Sequence, residues 1–211
     1  MNTAPDWRLV YDFWFPPGLD ADAETHRRMF VWWFGGGANA ELKRFAPLVS
    51  GACAGRLETW LADPRGRLAL ILVLDQFPRG LFPGSPEAYA CDARALQTAT
   101  EGLRNGQFAS LAHPWEKTFF FMPLGHTEGP DHAERLRRVL DLAEAIEREA
   151  PEPLKPLYRH SVAQARANLE LIARFGRFPH RNPILGRSST PEEQAYIEKG
   201  DFIHKRAPPA I

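Results

Sequence analysis

Leu68-Ala69-Leu70-Ile71-Leu72-Val73-Leu74-Asp75 is the stretch on which the fold turns. Seven apolar residues without a polar face suit either a strand covered on both sides or a helix buried all round. The neighbouring segments arbitrate. No second stretch alternates apolar and polar residues to pair with a strand, whereas apolar spacings of three and four recur on both sides. The run therefore reads as a central buried helix that Pro78 ends, in an all-α chain.

Upstream, Trp7, Val10, Tyr11, Phe13 and Trp14 mark a short helix stopped by Pro16-Pro17-Gly18. Asp20 or Asp22 caps the next, whose apolar side is Met29, Phe30, Trp32, Trp33 and Phe34. Gly35-Gly36-Gly37 breaks it; helical spacing resumes from Leu42 to Leu61, and Asp63-Pro64-Arg65-Gly66 turns the chain. Downstream, Ser85-Pro86-Glu87 carries a hydroxyl cap, a first-turn proline and an acid at the positive end of the dipole. That helix runs to Asn105-Gly106. Trp115 to Met122 is aromatic-rich, Pro123 to Pro130 interrupts it, and amphipathic stripes follow over 136–146 and 154–172. Thr190-Pro191-Glu192-Glu193 is a capping box opening a last short helix. About eight or nine helices in one domain, 1–211, joined by short turns, are expected to pack as antiparallel pairs. Residues past Lys205 read as a frayed tail.

Composition narrows the partners. Twenty-six basic residues balance twenty-six acidic ones, which disfavours a nucleic-acid binder with a wholly basic surface. The balance is not local. Between Pro153 and Pro191 the only acid is Glu170, against Lys155, Arg159, Arg166, Arg174, Arg177, Arg181 and Arg187; residues 128–152 hold eight acids and four arginines. One face is expected to be positive and its neighbour negative. Cys53 and Cys91 lack metal-ligand spacing and read as two buried free thiols in a reducing cytosol. The N-terminus lacks a signal-peptide layout, and no apolar run approaches the roughly 20 residues that span a bilayer. A cytoplasmic, non-membrane protein is the expectation; a homodimer remains open.

Three segments place polar residues where a helix end does not need them. In Asp75-Gln76-Phe77-Pro78-Arg79 a carboxylate ends an apolar helix and needs a partner. It either pairs with Arg79 to hold the turn or lies at a pocket floor to take a proton. In Leu124-Gly125-His126-Thr127-Glu128, histidine and glutamate converge as an acid–base pair, or Glu128 caps the next helix. No metal is implied. The third is Arg174-Phe-Gly-Arg-Phe-Pro-His-Arg-Asn-Pro-Ile-Leu-Gly-Arg187. Its arginines either clamp a carboxylate or phosphate beside Phe175 and Phe178, or neutralise the protein's own Asp75 and Glu128. Asn168, on the apolar face of the preceding helix, is expected to reach a partner in the same polar cluster, since an unpaired amide costs about 1–3 kcal/mol. His132 and His160 read as surface residues.

These three blocks resemble the signature of a bacterial family, domain-of-unknown-function family 924. Its members carry Asp-Gln-Phe-Pro-Arg-Asn, Pro-Leu-Glu-His-Ser-Glu-Asp and Phe-Gly-Arg-Phe-Pro-His-Arg-Asn-x-x-Leu-Gly-Arg-x-Ser-Thr. The likeness covers about 14–199, and 174–190 match throughout. It implies an all-α, right-handed array similar to tetratricopeptide repeats, and no reaction. Here Gly80, Gly125 and Gly129 replace an asparagine and two acids, Thr127 replaces serine, and Asn168 stands where members usually carry histidine.

The resulting expectation is a pocket for a small anionic molecule, with no cofactor. His180, His126, Asp75 and Glu128 would supply acid–base groups; Arg79, Arg174, Arg177, Arg181, Asn182, Arg187 and Asn168 would hold the ligand. The alternative is a tetratricopeptide-like module that takes a peptide or partner protein on a concave face without catalysis.

Overall fold

The computed structural model describes residues 5–19 and 22–206, and every regular element among them is helical. The chain opens with α1 (Arg8–Trp14) and α2 (Ala23–Phe34), then passes through short α3 (Asn39–Leu42) to α4 (Ala46–Cys53). The apolar stretch forms α5 (Pro64–Ile71), one wide turn (Leu72–Gln76) and α6 (Phe77–Leu81). There follow α7 (Asp92–Arg104), α8 (Gln107–Ser110), α9 (Pro114–His126), α10 (His132–Glu149), α11 (Lys155–Phe175) and α12 (Pro191–Lys199).

The central position of α5 follows from its composition. Asp63 caps it by accepting from Arg65 N at 2.8 Å and Gly66 N at 3.0 Å, and Pro64 occupies the first turn. Leu68 to Leu74 are then buried on every side. Burying each large aliphatic side chain contributes about 1.5–3 kcal/mol, so α1, α4, α7 and α9 gather around it. Trp14 packs between Phe77, tilted against it, and Phe119, edge to face, with ring centroids 5.5 and 5.6 Å away. A smaller core of Leu136, Leu171, Ile172, Phe178 and Ile203 joins α10 and α11 to the arginine-rich segment.

Two prolines behave differently from expectation. Pro78 does not end the central helix; it sits in the first turn of α6, which continues to Leu81. The turn before it is a π-turn, in which Phe77 N donates to Leu72 O, five residues back. Widening the helix there by one residue accommodates the missing proline N–H. It also leaves Asp75 O to accept from Arg79 Nη1 at 2.6 Å. Pro123 likewise lies inside α9, so His126 is the last residue of a helix and not part of a loop.

Other expectations are corrected as well. Ser85 gives no cap, because its hydroxyl bonds the Glu87 carboxylate; the segment forms only a short 3₁₀ turn, and α7 starts later, at Asp92. Cys53 and Cys91 are joined as a disulfide, Cα atoms 5.6 Å apart, because the end of α4 meets the start of α7 beside the central helix. His132 is buried, not on the surface, its Nε2 2.8 Å from Gly125 O. His160 is half-buried. Asp22 caps α2 through Thr25 N at 2.6 Å, and Thr190 and Glu193 form the expected capping box. Asp20 and tail residues 207–211 lie outside the described residues; Arg206 is tied to Asp201 at 3.0 Å. No helix among the described residues is long and apolar enough to cross a membrane.

Candidate functional site

The π-turn places Asp75 at the end of a wholly apolar helix with its carboxylate completely buried. An isolated charge there would be untenable, and the surrounding chain supplies partners. His126 Nδ1, from the end of α9, lies 2.9 Å from both carboxylate oxygens. Arg79 Nη1 lies 3.2 Å from Oδ1, and Gln76 Nε2 donates to Oδ2. Burial alone would raise the Asp75 pKa, but Arg79 and then His126 outweigh it and hold the group well below the usual carboxylate range. An ionised carboxylate only accepts, so the proton at this contact belongs to His126 Nδ1 and the ring presents Nε2 as its free nitrogen.

Arg79 is shared. Its Nη1 and Nη2 bind Asp92 Oδ1 and Oδ2 in a fork, each at 2.9 Å. Asp92 also lies 3.8 Å from Arg181 Nη1, and burial, opposed by Arg79, raises its pKa. Arg181 enters from the arginine-rich segment, donates to His126 O at 2.9 Å, and stacks on Tyr89 and Phe178, 4.5 Å from each ring. Its Nε is buried without a partner. Burial first, then Arg79, lowers its pKa, the mark of a cation short of counter-charge.

The segments expected to converge therefore do so, but their cations divide into two sets. Arg187 forks onto Glu128, and Glu128 Oε1 also accepts from Phe178 N at 2.6 Å. Glu128 thus pins the arginine segment instead of capping α10. Burial would raise its pKa, but the bonds from Arg187 and Phe178 lower it. Asn182, fully buried, accepts from Arg187 Nε at 3.0 Å and donates to Ser189 Oγ at 3.0 Å. Arg177 forks onto Glu193 at 2.7 and 2.8 Å, and Arg174 reaches Glu192 at 2.9 Å on the surface. Of the two alternatives for these arginines, neutralisation of the protein's own carboxylates describes Arg174, Arg177 and Arg187.

Two cavities, of about 750 and 590 Å³, meet at Arg79, His126, Asn168, His204 and Lys205. Arg181 and His180 line the smaller one; Gln76, His160 and Gln164 line the larger. Neither lining contains an aspartate or glutamate among the described residues. Lys205 has no carboxylate within ion-pair distance among them; its ammonium lies 5.1 Å from the Phe202 ring centre. Asn168 makes no hydrogen bond to another described side chain or backbone group, contrary to expectation, and lines both cavities. His180 and His204 pack with centroids 4.7 Å apart. Burial, then each neighbouring cation, pushes them down to about 3 and about 4, so both rings are neutral at pH 7.

Sequence reading missed Asp92, Tyr89, His204 and Lys205. Asp92 was hidden because Ser85 looked like the helix start, which would have buried it mid-helix. His204 and Lys205 adjoined a segment read as fraying.

Comparisons with known proteins bear on this site. The family described as "Bacterial protein of unknown function (DUF924)" matches residues 10–201. A solved structure, that of a protein of unknown function, ATU0120, from Agrobacterium tumefaciens, is similar with 33% sequence identity and a TM-score of 0.68. It covers 92% of this chain and 97% of its own. No curated protein matches.

Proposed function

This chain belongs to the DUF924 family, and we propose that it binds a small molecule bearing a carboxylate or phosphate in the cleft where the two cavities meet. The observation that supports this most directly is the lining: Arg27, Arg79, Arg181, Lys205 and Arg206 with four histidines, and no acid among the described residues. Asp75 and Asp92 offset Arg79, while Arg181, 3.8 Å from Asp92, is only partly offset, which leaves Arg181, Lys205 and the free amide of Asn168 to meet a guest. Fixed guanidiniums and an ammonium in a partly enclosed site attract an anion more strongly than in open water.

His126 would exchange a proton with the bound molecule. Asp75 keeps the proton on Nδ1, so Nε2 acts as acceptor, the arrangement by which a carboxylate orients a catalytic histidine. His180, neutral and half-buried against His204, is a poorer proton acceptor.

The test is Lys205→Ala, because Lys205 is exposed and unpaired and its loss leaves the core untouched. Differential scanning fluorimetry against inorganic phosphate and simple carboxylates should show Tm rises in the parent protein that shrink in this variant, with the ligand-free Tm unchanged. Equal responses in both would refute the anion site. A second reading, a tetratricopeptide-like array that holds a peptide, draws on the exposed Val31 and Phe34 at the mouth of the larger cavity. It would be favoured by capture of an extended peptide whose binding ignores Lys205→Ala.

A further inference from the structure

The larger cavity is lined by two chemically distinct sets of residues. One includes Arg79, His126, Asn168 and Lys205; the other is Trp14, Phe30, Val31, Trp33 and Phe34, with Arg27 one turn before Val31 and the His160 ring 6.5 Å from that of Phe30. We infer that the guest is amphipathic: a single anionic head beside His126 carrying an apolar body, an acyl chain or an aryl group, that lies along the last turn of α2. The inference rests on the anion-binding reading above and adds the part of the ligand that reading leaves undefined.

The wall is unlike ordinary core. Phe30, Trp33 and Trp14 are buried, yet Val31 is 43% and Phe34 37% exposed, two of the four large hydrophobic residues left open to solvent among the described residues. Both stand at the same cavity, and Phe34 is held in place by stacking on Phe119, centroids 5.5 Å apart and planes within 10°. Scattered exposed apolar residues need no explanation, but a contiguous set rimmed by cations marks a binding surface. The helix stops beside it: Gly36 adopts φ +82°, and Gly35 and Gly36 line the cavity with backbone alone. A cation set beside an aromatic wall selects against two ligand types. A bare inorganic anion leaves the wall wet, and a neutral apolar molecule leaves Lys205 and Asn168 without a partner. At about 750 Å³ the space suits a molecule of drug-like size and not a polymer.

Isothermal titration of the full chain with straight-chain carboxylates from acetate to decanoate, kept below their micelle concentrations, tests this directly. The matching primary alcohols and octyl phosphate complete the series. Affinity should rise about fourfold for each methylene buried until the wall is covered. The alcohols should bind at least tenfold more weakly than the equal-length acids, and octyl phosphate decides which head is preferred. Val31→Ser, at an exposed position, should lower octanoate affinity severalfold while leaving inorganic phosphate binding and Tm unchanged; Phe34→Ser should do the same with some loss of Tm. If acetate and phosphate bind as tightly as octanoate, the amphipathic inference fails while the anion site stands. If alcohols match acids, or nothing in the series binds, the anion site and this inference fail together.

Discussion

The arginine-rich segment and the cleft beside it contrast in how their charge is used. Residues 174–187 carry four arginines, but three of them meet Glu192, Glu193 and Glu128 within hydrogen-bond distance. The cleft draws its cations from separate elements and leaves Lys205 unpaired and the Arg181 Nε without an acceptor. Local density of guanidinium groups therefore marks where the chain is fastened. A binding site is marked by cations whose counter-charge is missing. Of the segment's four arginines, Arg181 alone also belongs to the cleft, since it leaves the segment to touch His126 O and Asp92.

Removing the fastening should produce the largest effect. Glu128→Ala leaves the Arg187 guanidinium without a carboxylate, bonded only to Asn182 Oδ1 and Phe178 O, and strands the Phe178 N–H, and Phe178 belongs to the smaller core with Leu136 and Leu171. A charged group that loses its partner in a mostly buried setting costs about 3 kcal/mol. Urea unfolding should show that loss. If the regions are as distinct as described, Kd for a carboxylate should stay within about twofold at a temperature where the variant remains folded. A variant of parental stability that no longer binds would reverse the assignment.

Acid should separate the regions by a different route. Burial, the leading cause, depresses both His26 and His132 to about 4. Their unfolded pKa is about 6.5, so below that value the unfolded chain binds protons that the folded one refuses. Stability is therefore full above about pH 6.5 and falls as pH drops through 6.5 toward 4. Each imidazole contributes roughly 2 kcal/mol between pH 7 and 5. Unfolding free energies at those two pH values should differ by that amount less in His132→Asn than in the parent protein. A stability that does not change between pH 7 and 5 would contradict the burial of these rings.

The sequence made the fold legible because helix-forming signals were local. The apolar run at 68–74 covers about two turns, the Asp22 cap and the Thr190–Glu193 box each act within one, and all three appear where the local signals placed them. The two prolines were misread because a π-turn at 72–76 and continuation of α9 through Pro123 are decided by packing against the core, which spacing does not report. The site was legible only as a set of segments. Asp75, Arg79, His126 and Arg181 do come together, but Asp92, His204 and Lys205 reach them from distant parts of the chain. The pairing of Arg174 and Arg177 likewise depends on where α12 folds back, and that of Arg187 on where the α9–α10 connection brings Glu128, not on the composition of the segment.

Arg174 gives the smallest effect and the sharpest separation of the two regions. Its side chain is 58% exposed and its partner Glu192 60% exposed. An ion pair in that setting gains little in water and orders two long side chains, so its net contribution is about 0.2–1 kcal/mol at most and often nothing measurable. Arg174→Ala should therefore shift unfolding by less than about 0.5 kcal/mol. Because Arg174 lines neither cleft cavity, it should leave carboxylate affinity unchanged as well. Lys205→Ala shares the first property and should differ in the second. If arginine density alone made the site, Arg174→Ala would weaken anion binding as much as Lys205→Ala, and the distinction between fastened and open cations would have to be abandoned.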